Sequence, residues 1–74
     1  MAGSELFSRG LRALRAAHSL DQEDVAKAVG VARPTVSSWE TGGSSPTVAQ
    51  FEKIAALFSL TPEEFFSAAE KVAR

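Results

Sequence analysis

A single glycine, Gly30, separates two short segments of helical periodicity, and this arrangement restricts the fold more than any other feature of the chain. Apolar residues recur at helical spacing on both sides of it: Val25, Ala26 and Val29 before the glycine, and Val31, Val36 and Trp39 after it. Glycine readily adopts the left-handed conformation that ends a helix and redirects the chain. The sequence therefore predicts two short helices, over about 22–29 and 33–41, that meet at a steep angle.

Three further helices are predicted from periodicity and capping signals, which makes the fold class all-α. One runs from about Ser4 to Ala17, and two begin after Thr47 and Thr61. Gln50 supports the start after Thr47, and Pro62 and Glu64 support the start after Thr61. Asp21 is the expected N-cap of the helix over about 22–29. We expect one domain over residues 4–74, preceded by a disordered or expression-derived segment, residues 1–3.

Composition excludes several common ways of stabilising so small a chain. The 74 residues contain no cysteine and a single histidine, His18, so neither a disulfide framework nor a zinc site is expected, and no cofactor is predicted. No apolar run is long enough to cross a membrane, and the N-terminus lacks a signal-peptide pattern. We therefore expect a cytoplasmic protein without a membrane partner.

Four segments in register resemble the Xre/Cro-type, lambda-repressor-like helix-turn-helix family. They are the helix entry at 20–26, the turn at 29–31, the run at 35–40 and the exit at 40–46. The resemblance extends from about Leu11 to about Phe66. It implies a five-helix domain whose second and third helices form the helix-turn-helix, with double-stranded DNA as partner. It further implies a transcriptional regulator, a repressor that binds a palindromic operator as a homodimer.

The same resemblance assigns roles to individual side chains, because the N-terminal half of the second motif helix reads bases in this family. Base-reading positions are matched by Arg33, Pro34 and Ser38, with Ser37 and Ala32 at the margin. Arg33 is the strongest candidate, since a guanidinium can donate two hydrogen bonds to guanine. The positions that approach the DNA backbone are matched by Gln22, Thr35, Thr41, Ser44 and Ser45. This chain departs from many family members in having no Lys or Arg in the loop 43–45.

Two further pairs are assigned structural or interface roles. Arg15 and Glu40 match a family pair that ties the first helix to the end of the recognition helix. Phe65 and Phe66 are adjacent on a helix and cannot both face the same core, so they are candidates for a dimer interface or for contact with another protein. Trp39 is expected in the core.

A second function remains open, namely a helix-turn-helix-fold protein-interaction module, antitoxin-like or adaptor-like, with little DNA binding of its own. The net charge of −1 and the nonbasic loop favour it, because a balanced chain attracts a polyanion weakly. Catalysis is not expected. His18, Ser19 and Asp21 lie in a polar turn, and the adjacent carboxylates Glu63 and Glu64 suit a helix N-terminus rather than an acid–base pair.

Overall fold

The computed structural model describes residues 3–72, with side chains from residue 5, and this part of the chain forms five α-helices and no strand. The helices are α1 (Gly3–Ala17), α2 (Gln22–Val29), α3 (Arg33–Thr41), α4 (Val48–Leu57) and α5 (Pro62–Val72). The all-α, five-helix prediction is confirmed. Gly3 is the first residue of α1, and the rest of the predicted N-terminal segment, Met1 and Ala2, lies outside the described residues.

Reciprocal side-chain caps begin three of the helices. At α2, Asp21 Oδ1 accepts the backbone N–H of Asp24 at 2.9 Å, and Asp24 Oδ2 accepts the backbone N–H of Asp21 at 2.9 Å. The hydrogen bond from the Asp24 backbone lowers the pKa of the Asp21 carboxyl below its ordinary value, so the cap is ionised at neutral pH. The same arrangement begins the last two helices, through Thr47 with Gln50 and Thr61 with Glu64.

The turn between α2 and α3 depends on the backbone conformation of Gly30. Its φ of 86° and ψ of 36° lie in the left-handed region, as predicted. Its N–H and that of Val31 both donate to the Ala26 carbonyl, at 2.8 and 3.0 Å, which satisfies the end of α2. A residue with a Cβ is strained in this conformation, so glycine is the residue that permits the abrupt change of direction.

All five helices contribute side chains to one hydrophobic core. Trp39 and Phe65 are its largest fully buried members, and Leu11 and Ile54 are also completely enclosed. The remaining buried apolar residues are Phe7, Leu14, Val25, Ala26, Val29, Val36, Ala55, Phe58 and Ala69. The predicted core position of Trp39 is confirmed, and the face of α3 that carries it packs inward.

The close approach of α1 to α5 depends on Gly10, a residue that the sequence patterns did not single out. A Cβ placed on Gly10 would lie 2.3 Å from the Cβ of Ala69 and 3.2 Å from its Cα. Such contacts cannot be relieved by rotating a flexible side chain, because both atoms belong to or adjoin backbone. The two helices therefore pack at a separation that only a glycine at this position permits.

The two adjacent phenylalanines of α5 have different environments. Phe65 has 0% exposed surface, and its ring lies 5.2 Å from that of Phe51 and 5.7 Å from that of Phe7. The prediction that Phe65 contributes to a dimer interface is therefore wrong, since a partner cannot reach it. Phe66 is only partly buried, with its ring 5.2 Å from that of Phe51, and its outer face remains accessible.

Candidate nucleic-acid interface

The two helices of the motif present one buried and one accessible side each. Val25, Ala26 and Val29 of α2 are buried, as are Val36 and Trp39 of α3. Because these residues lie on the inward faces, the orientation of α3 relative to the body of the protein is determined by core packing. The first two residues of α3, Arg33 and Pro34, are exposed.

Arg15 and Glu40 form the predicted pair, which connects α1 to α3. Arg15 Nε lies 2.7 Å from Glu40 Oε2, and Nη2 donates to Glu40 Oε1 at 3.1 Å, a bidentate arrangement between α1 and α3. Arg15 Nη1 also donates to the Leu20 carbonyl at 3.0 Å, which ties the turn before α2 to the same group. Hydrogen bonding to Glu40 raises the pKa of Arg15 above its ordinary value, which further favours the charged guanidinium.

Gln22, the residue assigned to the DNA backbone, is drawn into this cluster. Its amide Nε2 donates to Glu40 Oε1 at 3.1 Å, although sequence reasoning placed Gln22 beside a phosphate and not beside a carboxylate. An amide nitrogen carries two hydrogens, so one donor remains after this bond. The contact with Glu40 orients the side chain at the start of α2, where backbone N–H groups without intrahelical partners also lie.

The start of α3 is exposed and lacks a side-chain cap. Ala32 occupies the N-cap position with φ −78° and ψ 150° and provides no capping hydrogen bond. Arg33 and Pro34 are exposed in the first turn, and Thr35 and Ser37 are half-buried. Within the described residues, Arg33 takes part in no ion pair or side-chain hydrogen bond, so its guanidinium donors are available to a ligand.

The other end of α3 forms a local hydroxyl network. Ser38 Oγ and Ser44 Oγ lie 2.8 Å apart, which joins the recognition helix to the loop that follows it. Thr41 Oγ1 donates to the carbonyls of Ser37 and Ser38 at 3.1 and 3.3 Å, so its hydroxyl proton is already used within the helix. Ser45 is exposed. The structure thus brings Ser38 together with Ser44 and leaves Arg33 and Pro34 at the opposite end of the helix.

A polar cleft between α1 and the end of α3 was not anticipated from the sequence. It has a volume of about 550 Å³ and is lined from α1 by Glu5, Ser8, Arg9 and Arg12, and from α3 by Glu40 and Thr41. Buried Ser8 donates from Oγ to the Trp39 carbonyl at 2.7 Å and holds the two helices together. The signal in the sequence was the helical spacing of Ser8, Arg12 and Arg15, which places them on the side of α1 that faces Glu40.

An apolar groove lies between the start of α4 and α5. Its volume is about 250 Å³, and it is lined by Phe7, Pro46, Thr47, Val48, Phe51 and Phe66. Val48 is 76% exposed, which is unusual for a large apolar side chain in so small a domain. The groove includes Phe66, the member of the phenylalanine pair that remains accessible.

Two of the residues considered for catalysis, Asp21 and His18, are engaged in different structural contacts. The Asp21 carboxylate caps α2, and the His18 ring lies 5.1 Å from the ring of Phe58. Within residues 3–72 no group of three or more His, Asp or Glu side chains is placed to hold a metal ion. In the same part of the chain, no helix is both long and apolar enough to cross a membrane.

Comparison with known proteins identifies the class to which this geometry belongs. A helix-turn-helix family model matches residues 11–65, which include α2, α3 and the greater part of the core. The chain therefore belongs to the Xre and lambda-repressor-like helix-turn-helix family, and the predicted resemblance is confirmed.

Three relatives with similar sequences illustrate the range of this family. The cryptic phage CTXphi transcriptional repressor RstR of Vibrio cholerae is 35% identical over 65 residues, covering 88% of this chain and 59% of RstR. The HTH-type transcriptional activator BcrR of Enterococcus faecalis is 33% identical over 89% of this chain but only 32% of BcrR. An HTH-type transcriptional regulator of Methanocaldococcus jannaschii is 41% identical over 76% of this chain and 85% of that protein. This chain thus spans about three-fifths of the length of RstR and about one-third of the length of BcrR.

Proposed function

We propose that this chain is a sequence-specific double-stranded DNA-binding transcriptional regulator, and that it acts as a repressor. The observation that carries the proposal is the exposed, uncapped start of α3, where Arg33 has no ion-pair partner among the described residues. The buried inner face of α3 holds this start in place. A short helix presented in this way fits the major groove of B-DNA, where its N-terminal residues contact base edges.

Base recognition rests chiefly on Arg33. Its free guanidinium can donate to O6 and N7 of one guanine, a contact that discriminates against other bases by about 1–3 kcal/mol. Pro34 stiffens the first turn and offers apolar contact to a thymine methyl group. Ser37 and Ser38 contribute hydroxyl contacts of lower selectivity, and Ser38 exchanges or shares its bond with Ser44 to do so.

Backbone contacts surround this helix. Gln22 offers its remaining amide hydrogen at the start of α2, and Thr35 offers a hydroxyl in the first turn of α3. Thr41, Ser44 and Ser45 lie at the far end, where Ser44 and Ser45 are exposed. Since the Thr41 hydroxyl proton is engaged by backbone carbonyls, Thr41 contributes to DNA contact only after that bond is exchanged.

Repression is supported by a physical argument and by one relative. A protein that occupies a promoter blocks it without any further part, whereas activation requires a contact with the transcription machinery. RstR is named as a repressor and BcrR as an activator, so the family includes both outcomes. We assign repression because it requires only the DNA-reading face of α3 and no contact with the transcription machinery.

The test compares Arg33→Ala with Gln22→Ala on a sequence selected from a random double-stranded pool. Arg33→Ala is expected to weaken binding to the selected sequence by about 1–3 kcal/mol and to relax preference at one base pair, because one bidentate base contact is lost. Gln22→Ala is expected to weaken binding to selected and scrambled DNA alike, because its target is a phosphate. Affinities are measured by titration at two salt concentrations.

The matched control is Lys53→Ala, which removes the same charge from an exposed position on α4. It should leave the preference for the selected sequence unchanged. Equal, sequence-independent losses for Arg33→Ala and Gln22→Ala would show that Arg33 neutralises a phosphate and reads no base. Thermal melting of each variant separates these effects from damage to the fold.

We assign the active form to a homodimer on a palindromic operator. The support is the apolar groove, which exposes Val48 and Phe66 on one side of the molecule. A second copy docked there would bury both side chains. A palindromic operator requires the two recognition helices of such a dimer to lie about one helical turn of DNA apart, at about 34–36 Å. A dimer that binds two half-sites makes twice as many DNA contacts, which compensates for the weak affinity expected from the low net charge of each subunit.

Phe66→Ser is expected to shift a dimer toward monomer in sedimentation, because an accessible aromatic ring is lost from the groove. Val48→Ser should act in the same direction, and its high exposure means that the fold does not depend on it. Melting temperatures are recorded alongside. If both variants remain dimeric with intact folds, the groove is not the dimer interface.

A second candidate function is the helix-turn-helix-fold protein-interaction module. It is favoured by the net charge of −1, the nonbasic loop after α3 and the same apolar groove. Selection from the random pool at about 50 mM salt discriminates between the two. Enrichment of an inverted repeat supports the DNA-binding regulator, whereas the absence of any enrichment supports the protein-interaction module.

A further inference from the structure

We infer that Arg9 and Arg12 of α1 bind the DNA phosphate backbone beside the C-terminal end of α3. The inference rests on the proposed function, because it extends the proposed DNA interface to a helix outside the helix-turn-helix. It assigns to the cleft between α1 and α3 a backbone phosphate as its ligand.

The first observation is that these two arginines are available. Both are exposed, and within the described residues neither takes part in an ion pair or a side-chain hydrogen bond. Arg15, one turn further along the same helix, is by contrast fully engaged with Glu40. Guanidinium groups present planar sets of donors that match phosphate oxygens, and an unpaired arginine is free to use them.

The second observation is their position. Arg9 and Arg12 line the cleft together with Thr41, the last residue of α3, and the cleft is open to solvent. The Ser8–Trp39 hydrogen bond fixes α1 against α3, so the distance between the arginines and the recognition helix is held constant. When a helix lies in the major groove, phosphates flank it on both sides, and groups beside its end face one of these strands.

The charge of the cleft also favours an anionic ligand. Glu40 also lines the cleft, but it is 3% exposed and already paired with Arg15, so it does not neutralise the other two arginines. Glu5 is the remaining carboxylate of the cleft, which leaves an excess of positive charge there. The segment 42–47 contains no basic residue. The arginines of α1 therefore supply cationic groups that this loop lacks.

A purely structural role for the pair gives a different expectation. The last turn of α3 contains no basic residue, and nearby cations would stabilise the negative end of its dipole. In that case removing the arginines lowers the melting temperature and leaves DNA affinity at each salt concentration unaltered. Stability and salt dependence are therefore measured on the same variants.

The experiment measures DNA affinity of the double variant Arg9→Gln/Arg12→Gln as a function of salt, on a selected and a scrambled duplex. Each lost phosphate contact reduces the slope of log affinity against log salt by about 0.9, so the double variant should lose about 1.8. The loss should be equal on both duplexes, because phosphate contacts carry no sequence information. The matched control is Lys53→Gln/Lys71→Gln, which removes the same charge from α4 and α5.

The outcomes are distinguishable. A reduced slope in the arginine variant, an unchanged slope in the lysine control and unaltered melting support the phosphate contact. An unchanged slope in the arginine variant, or an equal reduction in both, overturns it while leaving the proposed function intact. If the unaltered protein itself shows no selected sequence and no DNA binding, the proposed function fails, and the phosphate contact fails with it.

Discussion

Phe65→Ala is expected to lower the free energy of unfolding by about 3–5 kcal/mol, a large part of the stability of a domain this small. The side chain is completely enclosed, and its ring contacts those of Phe7, Phe51 and Phe58, so the substitution leaves a cavity among aromatic groups. Chemical denaturation followed by circular dichroism measures the effect. Phe65→Leu, which retains more of the volume, provides a second variant if the alanine variant does not fold.

Phe66→Ala is the matched control, since it removes the same side chain from the next position on α5. Phe66 is only partly buried, so we expect a clearly smaller loss of stability. The comparison separates core packing from surface contact within one helix turn. Equal losses for the two substitutions would contradict the distinct environments of the two rings.

Arg15→Met is expected to lower the free energy of unfolding by about 3 kcal/mol, because it strands the buried carboxylate of Glu40. We place the effect at the low end for buried pairs because the Arg15 side chain retains 22% exposure and Gln22 still donates to Glu40. Arg12→Met is the control: it removes the same charge from α1 at a position that has no ion pair within the described residues, and it should change stability little.

The double variant Arg15→Met/Glu40→Leu tests the cause of this loss. If the loss arises from the unpaired carboxylate, removing the carboxylate as well should restore most of the stability. Strictly additive losses in the two single variants and the double variant would instead show that the pair acts through the packing of each side chain separately. Denaturant unfolding of the four proteins completes the cycle.

The elements that could be predicted from sequence are those governed by neighbours along the chain. The helix start at Asp21, the left-handed Gly30 and the capping boxes at Thr47 and Thr61 all involve groups within a few residues of one another. Such interactions depend mainly on the local sequence, so helix boundaries and the helix-turn-helix followed from local pattern. The family, too, was evident from segments in register.

The candidate site was predictable only in part. The exposed position of Arg33 at the start of α3 follows from the helical pattern, because the apolar residues of that helix define its inner face. The hydrogen bonds of Gln22 to Glu40 and of Ser38 to Ser44 join residues from different elements. Whether a polar side chain is free for a ligand depends on these contacts, which periodicity does not report.

What the sequence by itself determined is the number, limits and inward faces of the helices, because hydrophobic spacing and caps act locally. Only the tertiary structure decided that Phe65 is enclosed while Phe66 is accessible, that Gly10 meets Ala69, and that Arg9 and Arg12 border a cleft with the end of α3. These features depend on how far each helix rotates about its axis and how closely it approaches its neighbours. Both are settled by packing the whole core at once, and no segment contains that information alone.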